Sequence, residues 1–279
     1  MSSDQIIVFG SSGLLGSNLL TELKQGAPNA HIICPDRDDI SAVQSATFLK
    51  DLSPTEKLSL FYSHGPTDPK IDLAIHRKFH VSLPADWYRY LSTHFQLENF
   101  VTFGSVQETQ LDLLSHNPYL RSKSEWSDRL ENIGPGISHI QLHTVYGSPL
   151  RPRSFIGQMA NALLEGSEFR MSDGNQSREY QNAKDVAEVV SNFSAQKHGS
   201  ENTERYVVSH GNLISLREIA IGVFTHFGAL DRLRVGALTT ATGDLVPPAI
   251  AKGIRILEIP IRPVVQEIIQ LFIQAGIPG

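Results

Sequence analysis

Short apolar runs alternate along the chain with longer stretches that are apolar at helical spacing. "QIIVFG" (5–10) is apolar and ends in glycine, which predicts a buried parallel strand. "LLGSNLLTELKQG" (14–26) carries Leu14, Leu15, Leu19, Leu20 and Leu23 on one helical face, with Gly26 as a stop. Further strands are expected in "AHIICPD", "LSLFYSHG", "NFVTFGS", "ISHIQLHTVYG" and "RYVVSHG". Helices are expected in "PADWYRYLSTHF", "FIGQMANALLEG", "AKDVAEVVSNFSAQ" and "VVQEIIQLFIQAG". "NPYLRSKSEWSDRLENIG" is a helix with Asn117 as its cap and Pro118 at its first position. "SLREIAIGVFTHFG" is another, capped by Ser215 with Glu218 three residues on.

This alternation predicts an α/β fold: a Rossmann-type doubly wound parallel sheet with helices on both faces. The tail from Leu230 to Pro263 is richer in Pro and Gly and suits a smaller C-terminal substrate-binding lobe. The expected division is 1–146 plus 183–210 for a dinucleotide-binding domain, and 147–182 plus 211–279 for the lobe.

Composition narrows the picture. The chain has 279 residues and a net charge of −5, which gives no reason to expect a nucleic-acid partner. No apolar run reaches the roughly 18 residues of a membrane span, so no membrane partner is expected. The N-terminus does not read as a signal peptide. Cys34 is the single cysteine, so no intrachain disulfide can form, and a cytoplasmic location is expected. The histidines are scattered, and no metal site is expected.

Gly10, Gly13 and Gly16 stand three apart between the first strand and the first helix. A tight turn, a close backbone approach to a pyrophosphate and close helix–strand packing all ask for glycine there. The intervening Ser12, with Leu14 and Leu15 at the helix start, would offer backbone N–H groups to the phosphates. Asp36 lies about 20 residues after the turn, where a ribose-binding acid is expected. Arg37 beside it matches a 2′-phosphate. NAD and NADP both stay open, with NADP(H) favoured over NAD(H).

Tyr119 and Lys123 are four apart in "PYLRSK", hence on one helix face. A phenol ordinarily ionises near 10, and a nearby ammonium would lower that value. Ser105 ends the strand "NFVTFGS", at the sheet edge where ligands bind in open α/β sheets.

The glycine turn with Ser105, Tyr119 and Lys123 resembles the extended short-chain dehydrogenase/reductases, in particular the NAD-dependent epimerase/dehydratase group that modifies nucleotide-linked sugars. "LHTVYGS", "DGNQSREYQNAKDVAEVV" and "ILEIPIRPVVQEIIQLF" look like further family segments, so the likeness spans nearly the whole chain. It implies a bound NAD(P), a nucleotide-sugar substrate and hydride transfer at a sugar carbon. It implies Tyr119 as acid/base, Lys123 on the cofactor ribose, and Ser105 with Val106 at the substrate. It implies Arg178 on the substrate diphosphate, and a homodimer built around the Tyr119 helix. "RDD" after the second strand is similar to the family's keto-sugar reductases, so reduction of a 4-keto sugar is the first expectation. Epimerisation and a catalytically altered, dinucleotide-binding regulatory protein are the alternatives.

Three departures stand out. The family's dehydratases place Thr-Asp-Glu where this chain has Ser105-Val106-Gln107, with Glu108 one place late, which argues against dehydration. "YSHG" ends the third strand, where Gly65 still allows approach to the nicotinamide and His64 has no argued role. His80 stands where the family commonly has Asn, and an ordinary helix histidine is the expected reading.

Overall fold

A computed structural model describes residues 4–196, 202–239, 249–250 and 253–278. Much of the Pro- and Gly-rich tail, 240–248 and 251–252, lies outside the described residues.

The first half is a βα alternation. β1 (Gln5–Phe9) leads into α1 (Leu14–Gly26), β2 (His31–Ile33), a short α2 (Arg37–Ser41) and β3 (Lys57–Tyr62). After β3 comes a longer helical stretch than the periodicity of "PADWYRYLSTHF" predicts: α3 (Leu73–Arg77), a π turn over Lys78–Ser82, and α4 (Leu83–His94). Pro84 explains the π turn. It has no N–H, and in a regular helix its ring would collide with the His80 carbonyl four residues back. The widened turn, in which Leu83 N–H donates to the Lys78 carbonyl, accommodates it.

β4 (Gln96–Ser105), α5 (Leu111–Leu114), α6 (Pro118–Ile133) and β5 (Ile137–Leu142) follow. Asn117 caps α6 by accepting from Leu120 N–H at 3.1 Å, with Pro118 at its first position. The second half interleaves lobe and sheet. β6 (Thr144–Tyr146), α7 (Phe155–Glu165), β7 (Phe169–Arg170), β8 (Ser177–Arg178) and β9 (Tyr180–Asn182) lead to α8 (Ala183–Gln196) and β10 (Glu204–Ser209). β11 (Ile214–Ser215), α9 (Leu216–His226), β12 (Leu233–Arg234), β13 (Arg255–Glu258) and α10 (Val264–Gln274) complete the described elements.

The central sheet has seven parallel strands in the order β13-β10-β5-β4-β3-β1-β2. Every residue of β1 and β5 is buried, as expected when helices cover both faces. The alternation of the strand sends Ile7 and Phe9 into one core, with Trp87, Leu91, Trp126 and Leu130 of α4 and α6. Ile6 and Val8 enter the other, with Leu19 and Leu23 of α1 and Val186 and Val190 of α8. A third core, around Met159, Ile219, Phe224, Ile268 and Phe272, belongs to α7, α9 and α10.

One boundary differs from expectation. The sequence division puts β13 in the smaller lobe, but it pairs with β10 at the edge of the main sheet, Val207 opposite Ile256. "GIRILE" is too short and half-exposed a run to announce which sheet it joins. The chain order reverses between β1 and β3, and the C-terminal ends of these strands open the crevice where open α/β sheets take ligands.

Candidate active site at the sheet edge

The glycine turn closes the crevice on the β1 side. Gly10 has φ +76°, and a Cβ there would lie 2.6 Å from the Ser63 carbonyl oxygen at the end of β3. Gly13 N–H donates to the Gly10 carbonyl at 2.9 Å and tightens the turn. A Cβ on Gly16 would collide with that same carbonyl, so only glycine lets α1 lie this close to β1. Gly13 caps α1 with no side-chain bond to the first-turn N–H groups, which face the turn as an anion site requires.

At the end of β2, Asp36 caps α2 by accepting from Asp39 N–H at 2.8 Å. Arg37 is exposed, and its charge reaches His64. His64 is brought down to about 4, first by burial and then by Arg37. Gly65 has φ +136°, and a Cβ there would stand 2.5 Å from His80 Nε2. Its glycine is therefore required by the turn and by His80, besides any approach of a ligand.

Ser105 ends β4 and caps the next turn. Its Oγ accepts from Gln107 N–H at 3.2 Å, and its N–H donates to Glu108 Oε2 at 2.9 Å. This capping box turns Glu108 into the protein, where it is 1% exposed. Glu108 accepts from Gln141 Nε2 at 2.8 Å and faces His139 Nε2 at 3.1 Å. Burial works to raise the Glu108 carboxyl, but His139 and these donors hold it below the usual range. Val106 is buried too and lies outside the cavity, whereas Gln107 lines it.

Tyr119 and Lys123 share the α6 face that looks onto β4. Lys123 Nζ donates to the Phe103 carbonyl at 2.7 Å and sits 5.7 Å from the Tyr119 ring centre. The expected depression of Tyr119 is not found. Burial pushes its hydroxyl up to about 12, Glu108 adds to that, and Arg151 opposes it. The physical reason is that Lys123 is tied to a backbone carbonyl and is itself brought down to about 8 by burial, against Glu108. The Tyr119 ring packs edge-on against His76 and His80, at 5.9 and 5.5 Å between centres. His80 Nδ1 meets Ser122 Oγ at 2.8 Å, and Ser122 Oγ donates to the Tyr119 carbonyl at 2.7 Å.

Two cavities meet at these residues. One of about 160 Å³ is lined by Leu15, His64, Gly65, Ser105, Tyr119 and Lys123, among others. The other, of about 410 Å³, shares Ser105, Tyr119, His143 and Arg151 with it and adds Leu14, Gln107 and Arg153. Arg153 pairs with Asp68 across its rim. Arg178 is half-buried on β8, opposite Ile214 of β11, and lines neither cavity.

Sequence spacing does not single out Gln107, His143 or Arg151. His143 falls inside the predicted strand "ISHIQLHTVYG", whereas β5 ends at Leu142 and leaves His143 at the C-terminal edge that holds ligands. The chain also contains two His-x-x-x-His spacings, 76/80 and 139/143, but no group of three metal-type ligands forms among the described residues. No helix among the described residues is long and apolar enough to cross a membrane.

No protein-family model matches the chain, and no curated protein matches its sequence. Solved structures do match in fold. A UDP-glucose 4-epimerase of Thermus thermophilus, solved with NAD, aligns over 97% of this chain and 99% of its own, with 17% identity and a TM-score of 0.72. A dTDP-glucose 4,6-dehydratase of Streptomyces venezuelae, solved with NAD, aligns over 98% and 97%, with 13% identity and a TM-score of 0.73. The Bordetella bronchiseptica enzyme WbmG, solved with NAD and UDP, aligns over 99% and 97%, with 16% identity and a TM-score of 0.73. The chain thus has the fold of the extended short-chain dehydrogenase/reductases, the group its motifs resemble.

Proposed function

We propose that this chain is an NAD(P)-dependent oxidoreductase of a nucleotide-linked sugar, and that it reduces a sugar ketone. One observation carries the reading: Ser105, Tyr119 and Lys123 line a single cavity beside the glycine turn, at the C-terminal edge of the sheet. The residues of the turn fit a dinucleotide, because the α1 N-terminus is uncapped by side chains and closely backed by Gly10 and Gly16. The nicotinamide supplies the hydride when bound.

The chain's own residues supply the rest. Tyr119, held protonated near neutral pH, donates its proton to the carbonyl oxygen as that oxygen gains charge. Ser105 Oγ donates a second hydrogen bond to the same oxygen and orients the ketone. Lys123 sits beside Tyr119 and holds the cofactor ribose. A protonated phenol suits reduction, since starting by oxidising an alcohol needs phenolate. The burial of Glu108 supports reduction over dehydration, because no acid from that turn enters the cavity.

NADPH is the favoured cofactor. Asp36 is engaged as a cap, and the guanidinium of Arg37 beside it is exposed to receive a 2′-phosphate. Arg151 and Arg153 line the larger cavity and are the cations best placed for a diphosphate, with Arg178 as the further candidate from the resemblance. Epimerisation is the second reading, favoured by the fold match to an epimerase.

The test is a panel of 4-keto sugar nucleotides with NADPH and NADH. Tyr119→Phe should cut turnover by about 100-fold or more while leaving NADPH affinity, read by cofactor fluorescence, within a few-fold. Unchanged turnover in that variant overturns the role of Tyr119. Cofactor binding without turnover on any ketone favours the regulatory alternative.

A further inference from the structure

His143 and Glu179 form a buried pair that hydride transfer leaves unused. His143 directly follows β5 and lines both cavities together with Ser105, Tyr119 and Arg151. Its Nε2 is buried with no hydrogen-bond partner and faces Glu179 Oε2 at 3.6 Å. Glu179 is 2% exposed. Four donors fix its carboxylate: Gln181 Nε2 at 2.8 Å and His210 N–H at 2.9 Å on Oε1, and Ser209 Oγ at 2.8 Å and Gly211 N–H at 3.1 Å on Oε2. Burial works to raise this carboxyl, but the bonds and His143 win and keep it below its usual range. A fixed anion thus stands behind the imidazole of a residue that lines both cavities.

We infer that His143, backed by Glu179, is a second acid/base of the cavity, which takes and returns the proton on the carbon beside the substrate ketone. This gives the chain an enolisation activity separate from hydride transfer. It rests on the keto-sugar reading and deepens it. A proton on Nε2 faces Glu179, which leaves Nδ1 as the acceptor. The C–H bond breaks, and its electron pair forms the C=C bond of an enolate. The carbonyl pair moves onto oxygen, where Tyr119 and Ser105 donate. The proton passes to His143, and Glu179 pairs with the imidazolium that forms. Return of the proton restores the ketone, with no oxidant or reductant consumed.

The groups facing His143 are Glu179 and His210, with Tyr119 and Arg151 across the cavity. Burial lowers His143 below 6.5, His210 lowers it further, and Glu179 opposes both, so the neutral base is present at pH 7. His210 Nε2 is engaged with the Tyr180 carbonyl at 3.1 Å and its Nδ1 accepts from Asn212 N–H. It does not compete for the role.

The experiment uses the full chain with dTDP-4-keto-6-deoxyglucose in D₂O and NADP⁺. Deuterium at the carbons flanking the ketone is read by NMR and mass spectrometry against an enzyme-free control. NADPH-dependent reduction of the same compound is measured in parallel. Wild-type protein should exchange at least about 10-fold faster than the control, with a rate that falls as the pH drops below the ordinary histidine value of about 6.5. His143→Gln should lose at least about 10-fold of the exchange, and Glu179→Gln should shift the pH limb downward. His143→Asn is the second variant if the first does not fold by circular dichroism. Exchange retained in a folded His143 variant overturns the inference. Wild-type protein that reduces the ketone but does not exchange overturns it alone. Protein that does neither overturns the keto-sugar reading, and the inference with it.

Discussion

Tyr119 and Lys123 show how one environment moves two groups in opposite senses. Burial disfavours charge, so it raises the phenol to about 12 and lowers the ammonium to about 8. The consequence for stability has a definite sign. A lysine whose folded value is depressed binds fewer protons in the folded state than in the unfolded state, between about 8 and its ordinary 10.5. Stability therefore rises with pH through that window. The raised tyrosines act the other way, but only above their ordinary value of 10. Chemical denaturation from about pH 7.5 to 10 should show the unfolding free energy climbing, and Lys123→Met should flatten that climb. A climb that survives in the variant would assign it to another group. The Tyr–Lys pair is legible in the sequence from its spacing, but its pKa values are not. They depend first on how deeply the fold buries both side chains, and then on Glu108, which the Ser105 capping box turns inward.

At the scale of elements, the glycine turn is a packing device first. Gly16 lies where α1 presses on the carbonyl of Gly10, and that contact sets how near the α1 N-terminus comes to the crevice. Gly16→Ala should lift α1 from β1, weaken NADPH binding by about 10-fold or more, and cost about 2 kcal/mol in stability. Isothermal titration and thermal unfolding check both parts. The π turn before α4 is a second element-scale feature. Pro84 forces the widened turn, and His76 and His80 end up on the side that packs against Tyr119. Periodicity could not reveal this, because a π turn breaks the 3.6-residue repeat that periodicity reads. The apolar stripes of α4 and α6, which in the sequence would serve a dimer equally well, are filled by the core through Trp87, Leu91, Trp126 and Leu130. Their outward residues, among them Asp86, Arg89, Arg121 and Asp128, are polar.

Over the whole molecule, α7, α9 and α10 share their own apolar core, and polar bonds join it to the separate β6–β9 pair and to α8 beside the central sheet. Glu267 of α10 accepts from Tyr146 Oη at 2.5 Å and from Asn182 Nδ2 at 2.9 Å. Arg262 forks onto Asp185 at the start of α8, both bonds 2.8 Å. Asp185 is 4% exposed while Arg262 is 43% exposed along its side chain. The pair lies between a surface bridge and a buried one. Arg262→Met strands a buried carboxylate and should cost about 2 kcal/mol. Because neither Arg262 nor Asp185 lines the cavities, NADPH affinity should stay within a few-fold. Denaturant midpoints and a cofactor titration measure the two effects, and a loss of affinity as large as that of Gly16→Ala would show that the lobe and the turn are coupled.

The sequence by itself determined the main strand–helix alternation, the doubly wound sheet, the glycine turn and the Ser105–Tyr119–Lys123 set. Each of these is written in local spacing: which residues share a face, where a strand ends, where a turn needs glycine. Only the tertiary structure decided the rest. It returned β13 to the main sheet, turned Glu108 away from the cavity, and placed Arg151 rather than Arg178 at the cavity wall. It also brought His143 against Glu179, residues far apart in the chain. Such meetings depend on how β5, β9 and β10 pack together, and local spacing carries no record of distances between elements.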